Sequence, residues 1–264
     1  MSAGLRHPQV RHLLVATGGL AAAFLLPAIP QDPAYHGFAD GRAWLGIANV
    51  WNVVSNVPFL VVGVYGLGRL SRLQSRALRA AYVVLCLGTA LAGVGSACYH
   101  LAPSTPTLVY DRLPMTVAFM ALFAAVIQDR MSGRTGRALL GPLIVIGLGS
   151  VAYWSATELR GQGDLRPYAV VQFLPMLLMP LMLVLYRSTG LRDGWLWAGL
   201  GSYGLAKLAE HFDGAVYATG GFVSGHTVKH LLAALAALSM VKAFWRPTGA
   251  PAVAGRGPTA SRAA

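Results

Sequence analysis

The sequence predicts an all-α protein, a polytopic integral membrane helical bundle, and three observations carry that prediction. Of 264 residues, 55% are hydrophobic and only 11% charged, whereas a soluble domain carries about 25% charged residues. The mean hydropathy is +0.55. Apolar runs of membrane length recur along almost the whole chain. These runs are too long for strands, and an open sheet edge is not viable in lipid.

Eight apolar segments can be counted against the roughly 20 residues that one helical span needs. Their limits are 12–29, 46–68, 80–100, 107–127, 138–153, 168–186, 194–209 and 225–244. The first follows Arg6 and Arg11 and has the look of a signal peptide. The stretch after it, Pro27-Ala-Ile-Pro30-Gln31, lacks a small-x-small cleavage site, so a retained signal anchor is expected. The other seven segments make a seven-helix core, of which the fifth and seventh are short. Pro175 and Pro180 fall inside the sixth and predict a kink or local unwinding. The tail after Arg246 is rich in Gly, Pro, Ala, Ser and Thr, which predicts disorder. The expected organisation is therefore 1–35 for the N-terminus and extra helix, 36–246 for the core and 247–264 for the tail.

The formal charge of +12 does not mark a nucleic-acid binder, because the basic residues form no single patch and the hydropathy excludes a soluble one. They follow the loops instead. One side holds Arg6 and Arg11, then Arg69, Arg72, Arg76 and Arg79, then Arg130, Arg134 and Arg137, then Arg187 and Arg192, then Lys242, Arg246, Arg256 and Arg262. The other side holds only Arg42, Arg160 and Arg166. By the positive-inside rule both termini are expected in the cytoplasm. Cys86 and Cys98 share one apolar run about three turns apart and cannot bridge each other, so they read as small core residues.

In that topology the unusual polar residues collect at the outer end. They include Ser96 and His100 at the end of the third segment and Asp111 at the start of the fourth. Asp40, Asn49, Asn52 and Asn56 lie at the start of the second, Glu210, His211 and Asp213 at the end of the seventh, and His226 and His230 in the eighth. A charge or imidazole at membrane depth costs about 2.5–3.5 kcal/mol or more unless it has a partner or a function. His226 and His230 are one turn apart and share a helix face. Lys229 stands where a soluble metalloprotease motif would carry glutamate. Two histidines make half a zinc site, and His100 is the best candidate for a third ligand. Three imidazoles would leave a fourth zinc position open, as in catalytic sites. Asp111 is the nearest group for moving a proton, and Ser96 shares the face of His100 and could bond a developing oxyanion. Plainer readings stand beside these. The His226–His230 pair could bond across helices, Asp111 could pair with Arg112 or favour its helix N-terminus, and Ser96 could be a packing residue. Lys207, Glu210 and Lys229 are expected to form a structural ion triad, and His36 and His211 are interfacial residues or spare ligands.

These residues also carry a resemblance. Trp51-Asn52-Val-Val-Ser55-Asn56-Val-Pro-Phe59, Ser96-Ala-Cys-Tyr-His100, Asp111-Arg-Leu-Pro-Met115 and His226-Thr-Val-Lys-His230 resemble the alkaline ceramidase family, part of a superfamily of seven-helix membrane hydrolases that includes adiponectin-receptor-like proteins. The resemblance spans roughly residues 36 to 244. It implies zinc held by His100, His226 and His230, with Ser96 and Asp111 at the catalytic water. The implied reaction is hydrolysis of the amide of ceramide or a related N-acyl lipid to a sphingoid base, or other free amine, and a fatty acid. The segment Tyr35-His-Gly-Phe-Ala-Asp40-Gly-Arg42 looks like bacterial members, which implies an inner membrane with the site toward the periplasmic leaflet. Eukaryotic members also bind calcium through an acidic cluster. Here Asn49 stands where one of those acids would align, and only Asp32 and Asp40 are nearby, which tells against a calcium site.

The alternative is a non-catalytic membrane protein, a receptor-like sensor or small transporter with a structural zinc. A structural zinc is normally closed by four protein ligands, so a fourth from His36 or His211 would favour that reading. No internal repeat of the kind common in transporters is visible. The oligomeric state is not readable from the sequence.

Overall fold

The computed structural model describes Gly18 and residues 24–246. The predicted extra helix (12–29) lies largely outside the described residues, and the tail (247–264) wholly so. The rest is the predicted helical bundle. In chain order the α-helices are α1 (Val50–Val54), α2 (Val57–Leu67), α3 (Arg79–Leu101), α4 (Thr105–Arg130), α5 (Gly133–Leu159), α6 (Arg166–Leu185), α7 (Asp193–His211), α8 (Asp213–Gly220) and α9 (Gly225–Ala243). Among the described residues, five stretches are long and apolar enough to cross a membrane: Val50–Leu67, Arg76–Leu101 (α3 with the turn before it) and helices α4 to α6. Helices α7 and α9 have 19 residues each, about 28 Å of helix, close to the hydrocarbon thickness of a bilayer.

Helix starts follow local chemistry. At α4, Ser104 Oγ accepts from Thr107 N at 3.3 Å while Thr107 Oγ1 accepts from Ser104 N at 3.0 Å. That reciprocal cap satisfies donors that the first turn leaves free. Ser132 and Ser224 cap α5 and α9 through Thr135 N and Thr227 N, both at 3.2 Å.

Three predicted segments differ in detail. The stretch 46–68 is broken between α1 and α2. Ser55 Oγ and Asn56 Nδ2 both donate to Asn52 O, at 3.1 and 2.7 Å, and Pro58 has no N–H to continue the ladder. Helix α5 is much longer than 138–153, because its Ser132 cap and the polar residues near both ends extend it past the apolar stretch. Helix α6 runs through Pro175 and Pro180 without interruption, so the predicted unwinding does not occur.

The outer surface is apolar: Leu177 and Val184 on α6 are 72% and 73% exposed, as side chains facing lipid would be. Lipid is as apolar as leucine, so close packing and polar ties must hold the helices together. The larger core cluster includes Tyr82, Leu122, Met179, Leu196, Val241 and Phe244. Tyr82 also ties α3 to its neighbours, donating to Gly66 O at 2.7 Å and accepting from Trp245 Nε1 at 2.9 Å. At the end of α4, Asp129 accepts from Thr189 N at 3.0 Å and Leu191 N at 3.1 Å, pinning the α6–α7 loop. A smaller cluster of Tyr99, Leu108, Val151, Trp154 and Tyr168 lies at the opposite end of the bundle, and the polar residues singled out in the sequence lie there too.

Candidate metal centre and its cavity

The last turn of α3 supplies His100, and the first two turns of α9 supply His226 and His230. All three are buried, and one ring nitrogen of each lies within 4.8 Å of the others. His100 Nε2 and His226 Nε2 are 3.4 Å apart. The three ring centroids are separated by 4.8 to 4.9 Å.

Neighbouring groups fix this geometry. Ser55 Oγ lies 2.7 Å from His230 Nδ1. The single Ser55 hydroxyl hydrogen is directed to Asn52 O, so the serine accepts from Nδ1–H and leaves the Nε2 lone pair free. Asn52 Oδ1 accepts from Thr227 Oγ1 at 3.0 Å, tying α1 to α9. Asp213 accepts from His226 N at 2.7 Å and from Ala39 N at 2.9 Å, which binds the start of α9 to the segment before α1. That approach needs Gly225, where a Cβ would lie 2.2 Å from Ala209 O. The Phe38 ring covers His100 and His226 at centroid distances of 4.7 and 4.5 Å. Asp40 and Arg42 hold this cap segment by a bidentate pair at 2.8 and 2.7 Å, and the guanidinium hydrogen bonds keep the Asp40 carboxyl below its usual range.

The spare-ligand candidates go elsewhere. His36 meets Tyr99 Oη at 2.9 Å and Thr105 Oγ1 at 3.1 Å, and burial lowers its imidazole below the usual value, with Arg112 adding to the effect. His211 is exposed and meets the Phe212 ring edge-on. Among the described residues the metal-ligating cluster is therefore three imidazoles. The donor set fits a zinc-sized ion: two nitrogens about 2.05 Å from a tetrahedral centre lie about 3.3 Å apart, close to the His100–His226 spacing.

His230 faces a cavity of about 320 Å³. Its polar end has Ser96, Asp111, Arg112, Lys207, Glu210 and Lys229, and its wall continues past Phe119 and Met176 to Leu85, Leu122 and Met240. From His230 to Met240 along α9 is about 15 Å. Ser96 and Asp111 both line this end of the cavity. Gly95 lets α3 and α4 meet here, since a Cβ on it would lie 2.0 Å from Tyr110 O. Asn56 is also in the wall; its Oδ1 is buried and has no hydrogen-bond partner among the described residues.

Ser96, His100, Asp111, His226 and His230 are thus gathered at one end of the bundle. Lys207 and Lys229 share Glu210 as an ion triad. Arg112 makes no ion pair with Asp111; it donates to Gln31 Oε1 at 2.7 Å and stacks on aromatic rings. The sequence reading gave no role to Ser55, Asp213 and Phe38. For Ser55 a signal existed: Asn52, Ser55 and Asn56 fall at i, i+3 and i+4, one polar face in an apolar run.

The family model described as Ceramidase matches residues 44–159. Over that stretch, a little under half of its length, the chain is similar to the ceramidase family. The match to that family takes in Ser96, His100 and Asp111 and ends with α5, so His226 and His230 lie beyond it. No curated protein and no solved structure matches the chain.

Proposed function

We propose that this chain is a zinc-dependent amidohydrolase that cleaves the amide bond of ceramide or a related N-acyl lipid. The observation that carries the proposal is a cluster of three buried imidazoles, one of which, His230, lines an apolar cavity whose wall also presents Asp111 and Ser96. His100, His226 and His230 would hold the zinc. When bound, zinc would polarise the substrate carbonyl and lower the pKa of a water molecule to about 7.

The remaining steps belong to the chain's own residues. The cavity takes the acyl chain beside Phe119, Met176 and Met240. Ser96 donates to the carbonyl oxygen as it gains charge. Asp111 accepts the proton of the attacking water and returns it to the nitrogen as the C–N bond breaks, so the amine leaves neutral and the acyl carbon keeps the water oxygen. Asn56 Oδ1, an acceptor without a partner, suits a substrate N–H or O–H. The Phe38 cap keeps bulk water from the imidazoles.

The distribution of Lys and Arg supports both termini in the cytoplasm and the site toward the outer leaflet of a bacterial inner membrane. The layout that goes with it is an N-terminal segment (1–35), the hydrolase core (36–246) and a tail (247–264). A reporter fused after Arg246 that proved to lie outside the cytoplasm would overturn that orientation. Release of fatty acid from a fluorescent ceramide and from simple N-acyl amines by the purified protein tests the activity itself. Absence of release from every amide, in protein shown to carry zinc, would remove the amidase reading.

A further inference from the structure

Arg112 is about two turns into α4, 5% exposed, and part of the cavity wall. Its guanidinium plane is held among three rings, with Trp154 at 4.1 Å, Tyr168 at 4.6 Å and Tyr35 at 5.8 Å from Cζ. Those faces satisfy its π surface, but its N–H groups point in the plane and need acceptors. Gln31 Oε1 takes Nη2, while Nη1 has no hydrogen-bond partner among the described residues. A buried donor without an acceptor is destabilising, and more so when charged.

The charge around it is also unbalanced. Lys207 and Lys229 share the single carboxylate of Glu210. The cavity wall thus holds three permanent cations, Arg112, Lys207 and Lys229, against two carboxylates, Asp111 and Glu210. These groups line one cavity together with Tyr35, so they form one neighbourhood. A surplus positive charge in a low-dielectric wall attracts a monoanion, and an arginine fork matches a carboxylate.

We propose that the substrate of this site carries a carboxylate on the amine side of its amide, as an N-acyl amino acid does, and that Arg112, beside the Lys207–Glu210–Lys229 triad, is its receptor. The inference rests on the amide-hydrolase reading for the placement of the scissile bond. Hydrolysis then gives a fatty acid and an amino acid, with water as the only co-reactant. A neutral ceramide head would leave both the Nη1 donor and the surplus charge unanswered.

The test uses the zinc-loaded full chain in a non-ionic detergent. Binding is read by thermal shift with two sulfonamides that resist hydrolysis, dodecylsulfonyl-glycine and dodecylsulfonyl-ethanolamine, and with dodecanoate. Turnover is read on N-dodecanoylglycine and N-dodecanoylethanolamine. Because a hydrogen bond to a charged group adds more than a neutral one, the glycine compound should bind about tenfold or more tightly than the ethanolamine compound, and more tightly than dodecanoate. The glycine-to-ethanolamine ratio should fall toward one in Arg112→Gln and recover in part in Arg112→Lys. Should Arg112→Gln not fold, Lys207→Gln should lower the same ratio. Equal binding of the two sulfonamides, an unchanged ratio in the variants, or dodecanoate binding as tightly as the glycine compound would overturn the proposal. Turnover of both amides without preference leaves the hydrolase standing and this inference fallen. Preference in binding without turnover of either amide leaves the carboxylate site standing and the hydrolase fallen.

Discussion

Arg112 and Asp129 are both charged side chains buried on α4, 17 residues or about 25 Å apart along the helix, and their surroundings differ in kind. Around Asp129 the chain supplies every partner. The carboxylate takes Thr189 N, Leu191 N, Ser188 Oγ and Thr189 Oγ1. Arg130 Nε, which has no well-aligned hydrogen bond, lies 3.0 Å from Asp129 Oδ2, and the rest of that guanidinium reaches Tyr186 O and Asp193. At the other end, Arg112 Nη1 and Asn56 Oδ1 have no partner among the described residues, and three imidazoles face one another. A buried polar group that the chain satisfies is part of the framework. A set that the chain leaves unsatisfied is shaped for something that arrives.

That contrast predicts opposite phenotypes. Asp111→Asn should retain metal and melt near the wild-type temperature, while amide turnover falls about 10²- to 10⁴-fold; unchanged turnover would remove Asp111 from the chemistry. Asp129→Ala should do the reverse. It removes one of the two carboxylates that face the buried Arg130 and leaves Thr189 N and Leu191 N without their acceptor, a loss of about 3–5 kcal/mol. Its melting temperature should drop by many degrees while turnover per folded molecule stays the same. If Asp129→Ala abolished turnover in folded protein, the two ends would not be separable.

A smaller effect sharpens the site itself. Ser55→Ala removes the acceptor at His230 Nδ1 and should weaken zinc binding by about 10- to 100-fold, read by competition with a chelator. The smallest effect concerns the cap over His100 and His226. Arg42 holds the Asp40 carboxyl below its usual 3.8, so the ionised pair stabilises the fold fully above that pH, and its contribution is lost as pH falls through the depressed value. The melting difference between wild type and Asp40→Asn should therefore be constant from neutral pH to about 5 and shrink only in stronger acid. A difference that faded near pH 6.5 would assign the effect to a histidine instead.

The helical architecture was legible because hydropathy and length determine it, and α3, α4 and α9 lie close to their predicted limits. The break at Ser55–Asn56 was not, since it depends on side chains bonding to Asn52 O and on the missing N–H of Pro58, which leave the hydropathy of the run unchanged. His100, His226, His230, Ser96 and Asp111 stood out because polar groups in apolar runs are rare. Their supports did not. Asp213 lies in a loop of ordinary composition, and its role arises only when α9 folds back against Ala39. The binding partner of Arg112 was equally hidden: its neighbour in sequence is Asp111, but the side chain turns to Gln31, 81 residues away.

Whether the three histidines hold zinc for hydrolysis is decided by metal analysis of detergent-purified protein, wild type beside His226→Ala, with amide hydrolysis assayed on the same samples. The wild type should hold about one zinc per chain, and the variant should lose both zinc and hydrolysis. Full zinc in His226→Ala, or a wild type that neither contains zinc nor takes it up, would contradict that assignment.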